Sequence, residues 1–257
     1  MNDVIANKSV REEVIANTSI REDVIANKSA WEYDAHAFWV NHEGAPSDLA
    51  ARMTADPRAI LKRHAVYLGE VKGKRLANLC GSCGKKAIPL ALLGARVTVF
   101  DISEENRRYA CETALAAAAD INYVVGDIMA IDLEVFRGAF DILYMEGGIL
   151  HYFHDLEGFM AIVRALAAPG GRLVLSDFHP IHKVIDVNGI GGCPGDYFTT
   201  EILDAEMPHA KFYPEEIRKA FPTCRLRRYT LSEILNAVIR SGFTLRQFDE
   251  HPGWTNP

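Results

Sequence analysis

The chain has 257 residues, 49% of them hydrophobic, which is enough apolar material for one large α/β domain with a few extra helices. Its formal net charge is −6 and no Lys/Arg stripe appears, so the electrostatic footprint of a phosphate-backbone binder is missing and nucleic acid is not the expected partner. No apolar run reaches the roughly 18 residues of a membrane helix, and the five cysteines are scattered without a signal peptide. These features predict reduced thiols, a cytoplasmic location and no membrane partner.

Residues 1–30 open with a ten-residue repeat: DVIANKSVRE, EVIANTSIRE, then DVIANKSAWE. Each copy has the S-x-x-E spacing of a helix capping box, at Ser9/Glu12, Ser19/Glu22 and Ser29/Glu32. A period of ten carries the Val-Ile pairs around a helix instead of along one stripe, a pattern suited to burial on several sides. The expectation is a helical extension that packs between subunits of a homo-oligomer. Residues 31–73 read as an N-terminal helical cap, with Trp31, Tyr33, Phe38 and Trp39 clustered, a helix around Asp48–Met53 and another from Pro57 through Tyr67.

From residue 74 short apolar runs alternate with amphipathic stretches. Strands are expected at 75–80, 96–100, 121–125, 140–145 and 172–177, giving a doubly wound, mostly parallel Rossmann-like sheet with helices on both faces. Residues 181–229 break this rhythm with Gly, Pro and aromatics and are expected to cover the strand ends as an insertion. Thr230 and Glu233 predict a capping box opening a helix over Leu231–Ser241, stopped by Gly242, before a sixth strand over Phe243–Phe248.

Ligands of such sheets sit beyond the carboxyl ends of the strands, where the strand order reverses. The turn NLCGSCG at 78–84 lies between the first strand and the first helix. Asp101 ends the second strand, where an acid can accept ribose hydroxyls, and GDI at 126–128 ends the third. The three glycines of a nicotinamide-type fingerprint are absent from 78–84, which disfavours that alternative. Cys80 and Cys83 have no second CxxC or nearby Cys-His pair, so they read as small residues in a crowded turn, and no metal site is expected.

On these residues the stretch from about Lys74 to Glu250 resembles the class I S-adenosylmethionine-dependent methyltransferases. The resemblance implies that the turn of Asn78, Gly81, Ser82 and Cys83 holds the methionine end of the cofactor. It implies that Asp101 takes the ribose with Ile102 against the adenine, that Asp127 takes the adenine amine with Ile128 beside it, and that the Met145 backbone lies near the methionine amino group. Asn78 stands where the family has an acid, and Cys80 and Ser82 stand where it has glycines. The family's last antiparallel strand has no counterpart before Pro257.

The resemblance implies methyl transfer from S-adenosylmethionine to a small-molecule O, N or C nucleophile. An S-adenosylmethionine-binding protein without transferase activity is the alternative. A hydroxyl nucleophile needs a base, for which His151 and His179 are the candidates, each with a second histidine, His154 and His182, three residues on. For an amine or carbon nucleophile, Glu146 and aromatic walls would suffice, with Tyr33, Trp39, Tyr152 and Tyr197 as the expected substrate contacts.

Overall fold

The computed structural model describes residues 22–183 and 196–251. The first repeat copy and the second as far as Arg21, with Ser9/Glu12 and Ser19, lie outside them. The third is helical: α1 runs over residues 22–32 and crosses the expected boundary at residue 30, so the end of the repeat and the start of the cap are one helix. Ser29 therefore sits inside a helix and caps nothing. Glu32 instead accepts a hydrogen bond from the Glu104 backbone N–H at 2.9 Å, serving the start of another helix.

The cap continues with α2 (Ala35–Glu43), α3 (Pro46–Ala55), α4 (Pro57–Leu61) and α5 (His64–Leu68). One helix was expected over Pro57–Tyr67, but the chain breaks where Lys62 takes a left-handed backbone with φ 52°. The break re-aims α5 and turns His64 into the protein, where it is only 8% exposed.

Five strands form the sheet: β1 (Arg75–Leu79), β2 (Arg96–Asp101), β3 (Ile121–Val125), β4 (Phe140–Glu146) and β5 (Ala167–Ser176). All neighbours are parallel and the order is β3-β2-β1-β4-β5. Period-two alternation divides their side chains between the two faces. Leu76, Val97, Val99, Ile142 and Tyr144 meet α4, α5 and α6 (Ala87–Leu92) on one side. Ala77, Leu79, Phe100, Leu143 and Met145 meet α9 (Leu156–Leu166) and α11 (Leu231–Arg240) on the other. In α9 the buried Leu156, Phe159, Met160 and Val163 recur at the i, i+3, i+4, i+7 spacing of a single apolar face, and Asp155 caps the helix through the Gly158 N–H at 2.8 Å. α7 (Glu104–Ala116) packs Tyr109 and Ala114 against Leu49 and Met53 of α3, and α8 (Leu133–Phe136) links β3 to β4. The Thr230/Glu233 capping box is present at the start of α11.

The insertion contains a hairpin that composition did not signal. β6 (Ile202–Glu206) and β7 (Thr223–Arg227) are antiparallel, with α10 (Glu215–Arg218) between them. Met207, Ala210, Phe221 and Cys224 of this unit close a small core with Ala30, Trp31 and Tyr152. Phe243–Phe248 is not a strand: it has no regular structure and is mostly exposed, because it meets no sheet edge. Among the described residues no helix is long and apolar enough to cross a membrane.

Candidate active site

The strand order reverses at β1, whose neighbours β2 and β4 have connections running to opposite sides, and a cavity of about 320 Å³ opens at the carboxyl ends there. Its floor comes from Cys80 and Ser82 after β1, Phe100, Asp101 and Ile102 around the end of β2, and Gly126–Met129 after β3. Glu146–Ile149 after β4 and Tyr152–Asp155 form one wall. The roof is the cap: Trp39 from α2, and Asp23, Val24, Asn27 and Trp31 from α1.

The loop after β1 is tight because two residues with side chains hold left-handed backbone, Cys80 at φ 50° and Ser82 at φ 49°. Gly81 between them has no room for a side chain, since a Cβ would stand 2.7 Å from both Asn78 Oδ1 and Val99 Cγ1. Ser82 is fixed at both backbone ends: its N–H donates to Asp101 Oδ2 at 2.8 Å and its carbonyl accepts from the Tyr123 hydroxyl at 2.7 Å. Its Oγ is buried without a partner among the described residues.

Asp101 accepts from Ser82 N–H, from Ser103 N–H at 3.0 Å and from Asn106 Nδ2 at 3.1 Å. Burial raises the pKa of its carboxyl, and these donors oppose the rise. A carboxylate has about four acceptor positions, so three internal donors leave about one for a ligand rather than a free pair. Asp127 accepts from the Met129 N–H at 2.9 Å and holds the turn that buries Ile128. The loop after β4 is pinned from β5's end, where Asp177 accepts from the N–H groups of Ile149 and Leu150 at 2.9 and 2.8 Å. Trp39 Nε1 donates to Asn106 Oδ1 at 2.7 Å, which ties the roof to the residue that steadies Asp101.

Ser82, Asp101, Ile102, Asp127, Ile128, Glu146, Trp39 and Tyr152 thus converge on one cavity as their positions predicted. Eight other candidates do not line it. Asn78 is buried in β1, donating to the Tyr144 carbonyl at 3.3 Å, with its Oδ1 unpartnered. Gly81 packs against Asn78 and Val99, and Met145 is fully buried in the core. Cys83 packs with α3 and α7, where burial pushes its thiol up to about 12. Tyr33 lies on Phe221 with ring centres 4.7 Å apart, and the Tyr197 hydroxyl accepts from the Leu231 N–H at 2.8 Å at the start of α11.

Both expected bases are also elsewhere. His151, on a short 3-10 turn, is buried with its ring centre 4.3 Å from that of Tyr152 and 6.3 Å from that of Phe178, and does not itself line the cavity. His179 Nε2 lies 2.6 Å from Glu250 and its Nδ1 accepts from Ile181 N–H at 3.1 Å. The histidine that lines the cavity is His154, missed because three residues along an irregular turn decide which side faces in. Its Nδ1 lies 2.6 Å from Asp23 and its Nε2 lies 3.3 Å from the Arg225 carbonyl. Among the described residues no cluster of three or more His, Cys, Asp or Glu is placed to hold a metal ion.

Burial holds the thiol of Cys80 well above its ordinary pKa, reinforced by the charges of Asp101, Asp127 and Asp177, so the group stays a neutral wall atom. The Tyr152 hydroxyl is likewise pushed far up by burial and stays protonated. Five carboxylates and one histidine line the cavity, and among the described residues no Lys or Arg does.

A doubly wound sheet with its cavity at the switch point, an acid ending β2 and a second acid after β3 define a nucleoside-type ligand site. Residues 79–175 match the methyltransferase domain family. Over 104 residues the chain is 35% identical to a ubiquinone biosynthesis O-methyltransferase of Methylocella silvestris, covering 40% of this chain and 39% of that relative's length. It also superposes on an S-adenosylmethionine-dependent methyltransferase from Mesorhizobium loti with a TM-score of 0.54 and 26% identity, over 74% of this chain and 81% of the other. A third match, the magnesium protoporphyrin IX methyltransferase of Synechocystis, shares the fold at 16% identity and a TM-score of 0.54, over 88% and 91% of the two chains. Residues 79–175 thus match a methyltransferase domain, and the fold around them is similar to that of an S-adenosylmethionine-dependent methyltransferase.

Proposed function

We propose that the protein transfers a methyl group from S-adenosylmethionine to the oxygen or nitrogen of a small acceptor that carries no carboxylate or phosphate. The observation that carries this reading is the cavity itself. It places a ligand-facing acid, Asp101, and an unpartnered hydroxyl, Ser82 Oγ, beside an ionisable group at the opposite wall, Glu146, under an aromatic roof. The residues fit the cofactor: Asp101 and Ser82 offer hydrogen-bonding positions for the ribose side, and Ile102 and Ile128 are apolar surfaces beside Asp127 for a base.

The bound cofactor supplies a methyl group already activated on a positively charged sulfur. The chain's tasks are then positioning, water exclusion and proton removal. Trp31, Trp39 and Tyr152 close the cavity with apolar area and leave an acceptor little room to turn. Glu146 takes the proton of an O–H or N–H nucleophile as the new carbon–heteroatom bond forms. With five carboxylates and, among the described residues, no Lys or Arg in its lining, the cavity repels an anionic acceptor and accommodates a neutral or cationic aromatic one.

Calorimetry with the demethylated cofactor, followed by mass spectrometry of reactions with phenols, aromatic amines and indoles beside their carboxylated counterparts, tests the proposal. Binding, plus methylation of an uncharged acceptor in preference to its carboxylated partner, is the expected result. Replacing Asp101 by Ala is expected to weaken binding by about 1.5–3 kcal/mol. Binding without any methylated product would support a binding protein instead, and absence of binding would remove both readings.

A further inference from the structure

Behind the cavity wall Glu146 is attached to a buried polar chain that begins in the cap. His64, the first residue of α5, places Nε2 3.1 Å from Glu146 Oε2, and its Nδ1 is 2.9 Å from the Tyr144 hydroxyl. Lys86 Nζ lies 3.7 Å from Glu146 Oε1 and donates to the Ile60 carbonyl at 2.7 Å. Glu146 faces the cavity, whereas His64, Tyr144 and Lys86 do not line it.

The geometry restricts where the protons of this chain can sit. The carboxylate has none to give, so Nε2 must carry one to meet it favourably, which leaves the Nδ1 lone pair facing Tyr144. The phenol is held protonated by burial, by the Glu146 charge and by a hydrogen bond with Glu146, and its one proton lies between that carboxylate and Nδ1, 2.9 Å away. Burial also favours the neutral ring of His64; Glu146 opposes this, while Lys86, Arg63 and His251 reinforce it.

We propose that His64 is a positioning residue for the proposed transfer. With its tautomer set by Tyr144, it donates Nε2–H to Glu146 and keeps that carboxylate aimed at the acceptor. The proposal rests on the reading of the cavity as a methyl-transfer site. The proton taken by Glu146 comes from the acceptor heteroatom, the carbon–sulfur bond breaks with its electron pair staying on sulfur, and His64 itself neither gains nor loses a proton. The groups facing this pair are Tyr144 and Lys86 from the core, Arg63 beside α5, and His251 of the C-terminal segment.

Two measurements on the whole chain test it. Nitrogen NMR of histidine-labelled protein, without any acceptor, should show His64 neutral and protonated on Nε2 from pH 6 to 8, and Tyr144→Phe should populate the other tautomer. An imidazolium, or a ring protonated on Nδ1 because the Tyr144 hydroxyl serves Glu146 directly, overturns the relay.

With an acceptor from the screen above, His64→Ala should lower kcat and leave the cofactor KM unchanged. Without its donor Glu146 binds a proton more tightly, so the acid limb of the kcat/KM profile should move up by roughly one pH unit. His64→Gln, which keeps an N–H donor, should bring that limb back toward the wild-type position. A folded His64→Ala variant with an unshifted limb sinks the proposal. If no acceptor is methylated the transferase reading falls, and the NMR result alone then decides the relay.

Discussion

Ser82 concentrates the cost of building the cofactor loop. A non-glycine residue in left-handed backbone costs on the order of 1 kcal/mol, and its buried Oγ has no partner among the described residues. Glycine would relieve both costs and lose part of the gain to the greater freedom of the unfolded chain. Ser82→Gly is therefore expected to raise stability by about 1 kcal/mol, read as a higher urea midpoint with an unchanged slope, and a lower midpoint would contradict this account. The same residue shows what was legible beforehand. Its place between the first strand and first helix could be read from the alternation of segments, as could Asp101 and Asp127 at strand ends. That Asp101 already holds three internal donors could not be read, because those donors come from residues 82, 103 and 106 and meet only after folding. His151 and His154 differ by one turn of chain, and which one faces the cavity depends on a 3-10 geometry that periodicity does not encode.

Among the elements, α1 is held by polar side chains: Asp23 and Asn27 are buried and bind β7 of the insertion. The Asn27 amide donates to the Arg225 carbonyl at 3.1 Å and accepts from the Arg225 N–H at 2.8 Å, matching a peptide unit as a neighbouring strand would. Asp23 lies 2.5 Å from Arg225 Nη1 on the same residue. Asn27→Ala leaves the Arg225 N–H unpaired and its carbonyl with His154 alone, and should cost about 1–2 kcal/mol in the docking of α1, visible as faster hydrogen exchange over 22–32 with little change in β1–β4. Uniformly faster exchange would show instead that α1 and the sheet open together. The β6–β7 hairpin was hidden because its strands sit in a stretch rich in turn residues. The reverse error at 243–248 has the same root: an alternating pattern makes a strand only where an edge is available to pair with it.

At the scale of the whole molecule, cap, α1 and insertion meet at His209. Its ring stacks on Phe38 at 4.3 Å and lies near Trp31 and Phe221 at 5.7 and 6.3 Å. Burial pushes its pKa down to about 4 from 6.5, and the Tyr33 backbone and Asp34 only partly oppose this. A depressed histidine pKa means that the unfolded chain binds the proton more readily. The stability tied to the neutral ring is therefore present above pH 6.5 and lost as pH falls toward 4, on the order of 3 kcal/mol in all. The junction should loosen in that window, seen as a change in the fluorescence of Trp31 and Trp39, and His209→Phe should flatten the change; an identical acid transition in the variant would place its origin elsewhere.

The roof of the cavity is the third copy of a duplicated decapeptide, and this bears on how the gene can vary. Asp23, Val24 and Asn27 recur as Asp3, Val4 and Asn7, and as Glu13, Val14 and Asn17, whereas Trp31 is matched by Arg11 and Arg21. Slippage during replication that removes or adds one ten-residue unit upstream leaves the sequence 23–32 intact and in phase with the cap. Slippage that joins an earlier copy directly to Tyr33 keeps the contacts of Asn27 and Val24 but puts an arginine in place of the tryptophan wall. Length in this segment is then free to drift in steps of ten, and inside the cavity the copies differ at Trp31, an arginine in both earlier copies, and at Asp23, a glutamate in the second.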